Sequence, residues 1–110
     1  MKAFTKVVIL SGCIMIGMFA QPYRIAKVKG QSMEPTLHDG STVIVQQTQE
    51  VEPGDIIVYR CHLDGYPRYI IHRVAVKGKD GRMIMQGDNN PAPDIVTPGK
   101  EDIVGKVVVK

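Results

Sequence analysis

Short runs of β-branched and aromatic residues, each closed by a turn sequence, limit this chain to one kind of fold. Such residues pack well on a pleated surface, whereas glycine, proline, aspartate and asparagine turn the chain. No segment past residue 25 carries a helical period over roughly ten residues. The pattern predicts a small antiparallel all-β domain, with a hairpin in VKGKDGRMI bent at Asp80-Gly81. The strand-like runs are TVIV (42–45), IIVY (56–59), YIIHRVAV (69–76), RMIMQ (82–86) and IVGKVVV (103–109).

An apolar run near the N-terminus, VVILSGCIMIGMFA at residues 7–20, predicts a membrane anchor. A secretory signal that is cleaved ends in small residues, and Met18 stands where one of them is needed. The run is short for a bilayer core, which takes about 20 residues of helix, but Lys6 can reach the interface from inside the membrane edge. We therefore expect a retained transmembrane helix within 1–22, followed by one β-rich domain over 23–110.

Charge and ligand spacing exclude two kinds of site. The chain has 14 basic and 11 acidic side chains, and Lys2 and Lys6 belong to the predicted anchor, so the domain itself is nearly balanced. A balanced domain with few aromatic residues and no basic cluster is a poor nucleic-acid binder. Cys61-His62 has no second ligand pair at zinc spacing, so we predict no metal site and no cofactor. Basic residues flank the apolar run on both sides and leave its orientation open.

The segment GQSMEPTLHDG, residues 30–40, places Ser32 on a tight turn. A glycine two residues before the serine and a proline three residues after it suit neither a helix nor a strand. Ser32 is therefore either an ordinary turn hydroxyl or a nucleophile displayed on the turn. A nucleophilic serine needs a base, and the base needs a group that orients it.

His72 stands in the middle of the most strand-like run, YIIHRVAV. A half-buried, neutral imidazole can accept a proton from a serine, but it can equally be held by the backbone of a neighbouring strand. His38 and His62 lie in turn and loop sequences, where solvated roles are expected. The lysines of the VKGKDG turn are also solvated, and a lysine that keeps its proton at neutral pH cannot act as a base. The chain thus offers serine with histidine more readily than serine with lysine.

Two aspartates follow a predicted strand in MQGDNNPAPDIV, residues 85–96. A carboxylate on this loop can accept a hydrogen bond from an imidazole and fix its tautomer. For Asp88 the sequence favours capping of its own turn, beside Asn89. For Asp94, between a proline and an isoleucine, neither interpretation prevails from the residues alone.

Five segments of the chain resemble, in the same order, the successive boxes of type I signal peptidases. The resemblance covers nearly the whole chain and includes the N-terminal anchor. Most bacterial members of that family have a lysine where this chain has His72. A histidine there resembles the branch found in the endoplasmic reticulum, in archaea and in some Gram-positive bacteria. The five segments are GQSMEPTLHDGSTVIV (30–45), PGDIIVY (53–59), IIHRVAV (70–76), QGDNN (86–90) and DIVGKVV (102–108).

The resemblance implies an enzyme, a signal peptidase I of the Ser-His-Asp type, and assigns a role to each candidate residue. Ser32 matches the nucleophile and His72 the base; Asp94 ranks above Asp88 as the third member, a choice that the resemblance leaves open, and Asp88 matches a supporting acid of the same box. The backbone N–H of Ser32 is the expected oxyanion donor. Gly30 stands where some relatives carry a hydroxyl residue that assists the oxyanion, so that side-chain donor is absent here.

The resemblance also implies a compact antiparallel β-structure with its active site close to a lipid membrane, on the extracytoplasmic or lumenal face. Substrates in the family are preproteins with small residues before the scissile bond, and the signal peptide binds as an extended strand against a sheet edge. Neither nucleic acid nor a cofactor is implied. Whether partner membrane subunits are needed is left open.

Two alternatives carry different predictions. The self-cleaving peptidase domains of LexA-like repressors also have a serine followed by methionine on a related β-fold, but they pair it with lysine and follow a DNA-binding segment. The other alternative is a membrane-anchored β-module that has the shape of the enzyme and uses it only for binding. Membrane fractionation separates the first from a signal peptidase, and inertness towards preproteins favours the second.

Overall fold

The computed structural model describes residues 22–109, which form six β-strands and no α-helix. This confirms the predicted all-β class and each of the five predicted strands, and it adds a first strand that was not predicted. Except for Pro22, the predicted anchor lies outside the described residues, among which no helix is long and apolar enough to cross a membrane. The strands are β1 (Tyr23–Lys27), β2 (Thr42–Gln46), β3 (Ile56–Leu63), β4 (Tyr66–Lys77), β5 (Met83–Gln86) and β6 (Ile103–Val109), the last preceded by a 3₁₀ turn at Lys100–Asp102.

The strands form one antiparallel sheet in the order β1-β2-β6-β3-β4-β5, so the C-terminal strand lies between β2 and β3. The β3–β4 hairpin turns at Asp64-Gly65, which both have positive φ (62° and 78°), as a two-residue turn of the strand-matching kind requires. The predicted β4–β5 hairpin is present, with Gly81 at φ 88° in its bend. These two hairpins carry β4, the strand of His72, through the middle of one half of the sheet.

Strand β3 is buried on both faces, which explains its continuous apolar sequence. Ile57 and Tyr59 belong to one hydrophobic cluster, and Ile56 and Val58 belong to a second. Successive side chains of a strand point to opposite faces, so the two clusters lie on opposite sides of β3. The register of β3 with β4 sets His72 opposite Ile57. The backbone that carries the imidazole is therefore paired with a rigid, buried strand of the sheet.

Candidate active site

The turn that carries Ser32 is anchored in the hydrophobic core. Met33 and Leu37 are only 0% and 2% exposed and pack in the cluster below the turn. The Glu34 N–H donates to the Gln31 carbonyl at 3.2 Å, and the Leu37 N–H donates to the Met33 carbonyl at 2.9 Å. Ser32 itself is half-buried. The neighbouring apolar side chains thus hold the serine hydroxyl in one place on the turn.

His72 joins the serine turn to the loop after β5. Its Nε2 lies 2.9 Å from Ser32 Oγ, and its Nδ1 lies 2.7 Å from Asp94 Oδ2. The side chains of His72 and Asp94 are 12% and 11% exposed, so both are largely shielded from water. The tautomer with its proton on Nδ1 satisfies both contacts, since the ring then donates to the carboxylate and accepts from the hydroxyl. Ser32 and Asp94, which lie 40 and 22 positions from His72 in sequence, thus contact the two different nitrogens of its ring.

Asp94 is held by its backbone and by a residue that the sequence did not suggest. Its N–H donates to the Met85 carbonyl at 2.7 Å, and the Tyr59 hydroxyl donates to its Oδ2 at 2.6 Å. Burial, together with the hydrogen bond to Asp94, raises the pKa of Tyr59 well above its usual value. The one signal in the sequence was general: a tyrosine in a buried strand needs a partner for its hydroxyl.

Asp88 lies in a separate contact that links β4 to the serine turn. Its carboxylate accepts two hydrogen bonds from the Arg73 guanidinium, at 2.8 and 2.6 Å, and one from the Thr36 hydroxyl at 2.5 Å. The hydrogen bond to Asp88 raises the pKa of Arg73 further. Both carboxylate oxygens of Asp88 therefore make long-range contacts, to β4 and to the serine turn. Of the two candidate aspartates, Asp94 is the one whose carboxylate lies against the His72 ring.

The loop after β5 closes tightly over the serine turn at Gly87. The Asn89 N–H donates to the Ser32 carbonyl at 2.8 Å, and the Asn89 side-chain amide donates to the Gln31 carbonyl at 3.1 Å. A Cβ at Gly87 would lie 2.6 Å from the Ser32 carbonyl oxygen and 3.1 Å from His72 Nε2. No side chain fits at position 87 without moving the serine turn or the imidazole.

We expect Gly87→Ala to destabilise the domain, because the added methyl overlaps a backbone oxygen that cannot turn aside. Overpacking of this kind costs about 1–3 kcal/mol, which in a domain of this size lowers Tm by roughly 4–24 °C. Thermal denaturation followed by circular dichroism measures the change. Gly99→Ala is the matched control, since the three atoms nearest to a Cβ there all belong to the carboxylate of Glu101, the far end of a flexible side chain. Equal Tm shifts in the two variants would contradict the close packing at Gly87.

The other two histidines lie apart from this network, as their sequences predicted. His38 is exposed and its Nδ1 lies 2.5 Å from Glu34 Oε1, while His62 is exposed at the end of β3. Within residues 22–109, no group of three or more histidine, cysteine, aspartate or glutamate side chains is placed to hold a metal ion.

The sequence of this chain is similar to those of known peptidases. The family model described as Peptidase S24-like matches residues 11–108. The signal peptidase complex catalytic subunit SEC11 of Chaetomium globosum is 33% identical to this chain over 100 residues. That match covers 79% of this chain and 57% of the relative, so the chain spans little more than half of the relative's length. These findings confirm the resemblance to the histidine branch of signal peptidases that the five sequence boxes indicated.

Proposed function

This chain belongs to the Peptidase S24-like family, and on that premise we propose that it is a membrane-bound serine endopeptidase that removes N-terminal signal peptides from exported preproteins. The continuous line of contacts from Ser32 Oγ through His72 to Asp94 supports this most directly. The similarity to a signal peptidase catalytic subunit supports the choice of substrate.

In the first half of the proposed reaction, Ser32 Oγ attacks the scissile carbonyl carbon. His72 Nε2 takes the hydroxyl proton, and Asp94 stabilises the imidazolium that forms. The carbon–nitrogen bond of the tetrahedral intermediate then breaks, and His72 returns the proton to the leaving amine. The mature protein departs with a free N-terminus, and the signal peptide remains as an ester on Ser32.

In the second half, His72 accepts a proton from a water molecule that attacks this ester. The proton passes to Ser32 Oγ as the ester bond breaks, which releases the signal peptide as an acid and restores the serine. We assign stabilisation of the oxyanion to the backbone N–H of Ser32. The Asn89 N–H bonded to the Ser32 carbonyl keeps that part of the turn fixed.

The edges of the sheet suggest where an extended signal peptide binds. The outer edge of β5 is already occupied, since the Met83 N–H donates to the Pro98 carbonyl and the Met85 carbonyl accepts from the Asp94 N–H. Strand β1 lies at the other edge of the sheet and leads along the chain to Ser32. We therefore assign strand pairing of the substrate to the outer edge of β1.

The proposed setting is a membrane. We assign residues 1–22 to a single transmembrane anchor and the catalytic domain to the extracytoplasmic or lumenal face. The C. globosum relative is, by its name, the catalytic subunit of a signal peptidase complex. By analogy, membrane subunits are proposed partners of this chain.

Cleavage of a labelled preprotein by the purified full chain in detergent tests the proposed function. We expect one cut, with mass spectrometry of the new N-terminus placing it directly after small residues at the end of the signal peptide. The chain itself should stay intact, which separates it from a self-cleaving LexA-like domain. The assay is repeated with co-solubilised membrane proteins to supply partner subunits. No cleavage under either condition would overturn the proposal in favour of a binding module.

A further inference from the structure

Tyr59 is buried in the centre of the sheet, and its hydroxyl reaches the site. It lies on β3 with 0% of its surface exposed, in the same hydrophobic cluster as Ile57 and Met85. Its hydroxyl donates to Asp94 Oδ2 at 2.6 Å, and His72 Nδ1 lies 2.7 Å from that same oxygen. Asp94 Oδ2 thus accepts hydrogen bonds from two neighbouring strands, β3 and β4.

A carboxylate in this position needs such a second donor. The backbone bond from Asp94 to the Met85 carbonyl fixes the main chain, but the terminal torsion of an aspartate is intrinsically broad. The Asp94 side chain is 11% exposed, so water gives it little support. A buried carboxylate without sufficient donors is costly and turns towards any that it can reach.

We propose that Tyr59 is a positioning residue: by sharing Asp94 Oδ2 with His72, it holds the carboxylate in the orientation that accepts the His72 Nδ1–H. Held in this way, the ring keeps Nε2 directed at Ser32 Oγ, 2.9 Å away. Tyr59 acts through Asp94 and not on the substrate. The catalytic meaning of this inference rests on the proposed function, whereas the structural part can be tested without any substrate.

Tyr59 is a permanent donor rather than a switch. Burial in the core is the main reason that the pKa of its hydroxyl is raised, and the hydrogen bond to Asp94 adds to the effect. The hydroxyl therefore keeps its proton at neutral pH and remains a donor to Asp94.

Tyr59→Phe tests the proposal, because it removes the hydroxyl and keeps the buried ring. The readout is solvent exchange of the His72 Nδ1–H proton, followed by NMR of the full chain labelled with ¹⁵N-histidine in detergent. His72→Gln identifies the signal. We expect at least about tenfold faster exchange in Tyr59→Phe, since loss of a hydrogen bond to a charged group frees the carboxylate to turn. Exchange at the wild-type rate in a folded Tyr59→Phe protein would overturn the proposal.

Ile103→Val is the matched control for this measurement. Ile103 is 4% exposed and packs in the same hydrophobic cluster as Tyr59, but it lies on β6. The substitution removes one methyl group and perturbs the core without removing a polar contact. We expect the His72 Nδ1–H to exchange at the wild-type rate in this variant. Equal acceleration in both variants would show a general loosening of the core and would also overturn the proposal.

Preprotein cleavage gives a second, independent readout. We expect Tyr59→Phe to lower kcat by about 10- to 100-fold with little change in KM, the range that follows from loss of one hydrogen bond to a charged group. In an Asp94→Ala background the same substitution should lower kcat no further, because its target is gone. If the fold-losses in kcat of the two substitutions multiplied in the double variant, Tyr59 would act through packing alone.

The two readouts separate failure of this inference from failure of the proposed function. If proton exchange is faster in Tyr59→Phe but the wild-type chain cleaves no preprotein, the positioning role of Tyr59 stands and the proposed peptidase function fails. If the wild-type chain cleaves the preprotein but proton exchange is unchanged in Tyr59→Phe, the proposed function stands and the positioning role of Tyr59 fails.

Discussion

Ser32→Ala is expected to abolish preprotein cleavage, with a loss on the order of 10⁵- to 10⁶-fold in kcat, while the domain stays folded. The size follows from removal of the only atom proposed to form a bond with the substrate. The hydroxyl makes one hydrogen bond, to His72 at 2.9 Å, so its loss should cost about 1 kcal/mol in the free energy of unfolding. Cleavage assays and thermal denaturation on the same preparation separate the two effects.

Ser41→Ala is the matched control for this variant. Its hydroxyl also makes one hydrogen bond, accepting from the His38 N–H at 3.2 Å, and Ser41 is half-buried like Ser32, but its bond does not involve His72. We expect full cleavage by Ser41→Ala. If Ser32→Ala still cut the preprotein at the same bond, Ser32 would be a turn residue and the nucleophile would have to be sought elsewhere.

The strands with fully buried side chains were predictable from local sequence, and the one strand without any, β1, was missed. TVIV and IIVY announce β2 and β3 by composition, because apolar branched residues favour a packed, pleated surface. β1 has no such pattern, and Ile25 within it is 77% exposed. Its backbone pairing with β2 makes it a strand, and that pairing is not visible in its residues. The insertion of β6 between β2 and β3 is likewise a long-range pairing.

The contacts of the site divide in the same way. His72 stands out because an imidazole in the middle of an apolar strand conflicts with its local surroundings, whereas Ser32 is an acceptable turn residue and becomes a candidate because a turn can display a nucleophile. The choice between two aspartates on one loop depends on which of them reaches His72 and which reaches Arg73, and that is a tertiary fact. The contact of Tyr59 with the site depends on strand register, which pairs Tyr59 with Ile70, two residues before His72.

His72→Ala is expected to lower cleavage by on the order of 10⁴- to 10⁶-fold, since Ser32 loses the group proposed to take its proton. Circular dichroism checks that the variant is folded. His38→Ala serves as the matched control, because His38 is an exposed imidazole that also pairs with a carboxylate, that of Glu34. Equal cleavage by wild type and His72→Ala would make His72 a structural residue and assign the base to another group.

His72→Lys asks whether the surroundings of position 72 suit only an imidazole. Many bacterial relatives place a lysine there, yet in this chain the amine would lie near Asp94, whose Oδ2 is 2.7 Å from His72 Nδ1. A carboxylate at that distance favours the protonated amine, and a protonated amine accepts nothing from Ser32. We therefore expect His72→Lys to be as inactive as His72→Ala at pH 7 and to regain some cleavage only as the pH rises towards that of lysine deprotonation. Wild-type activity of His72→Lys at pH 7 would contradict the role given to Asp94. A lysine at position 72 can be neutral at that pH only if the Asp94 carboxylate does not stabilise its protonated form.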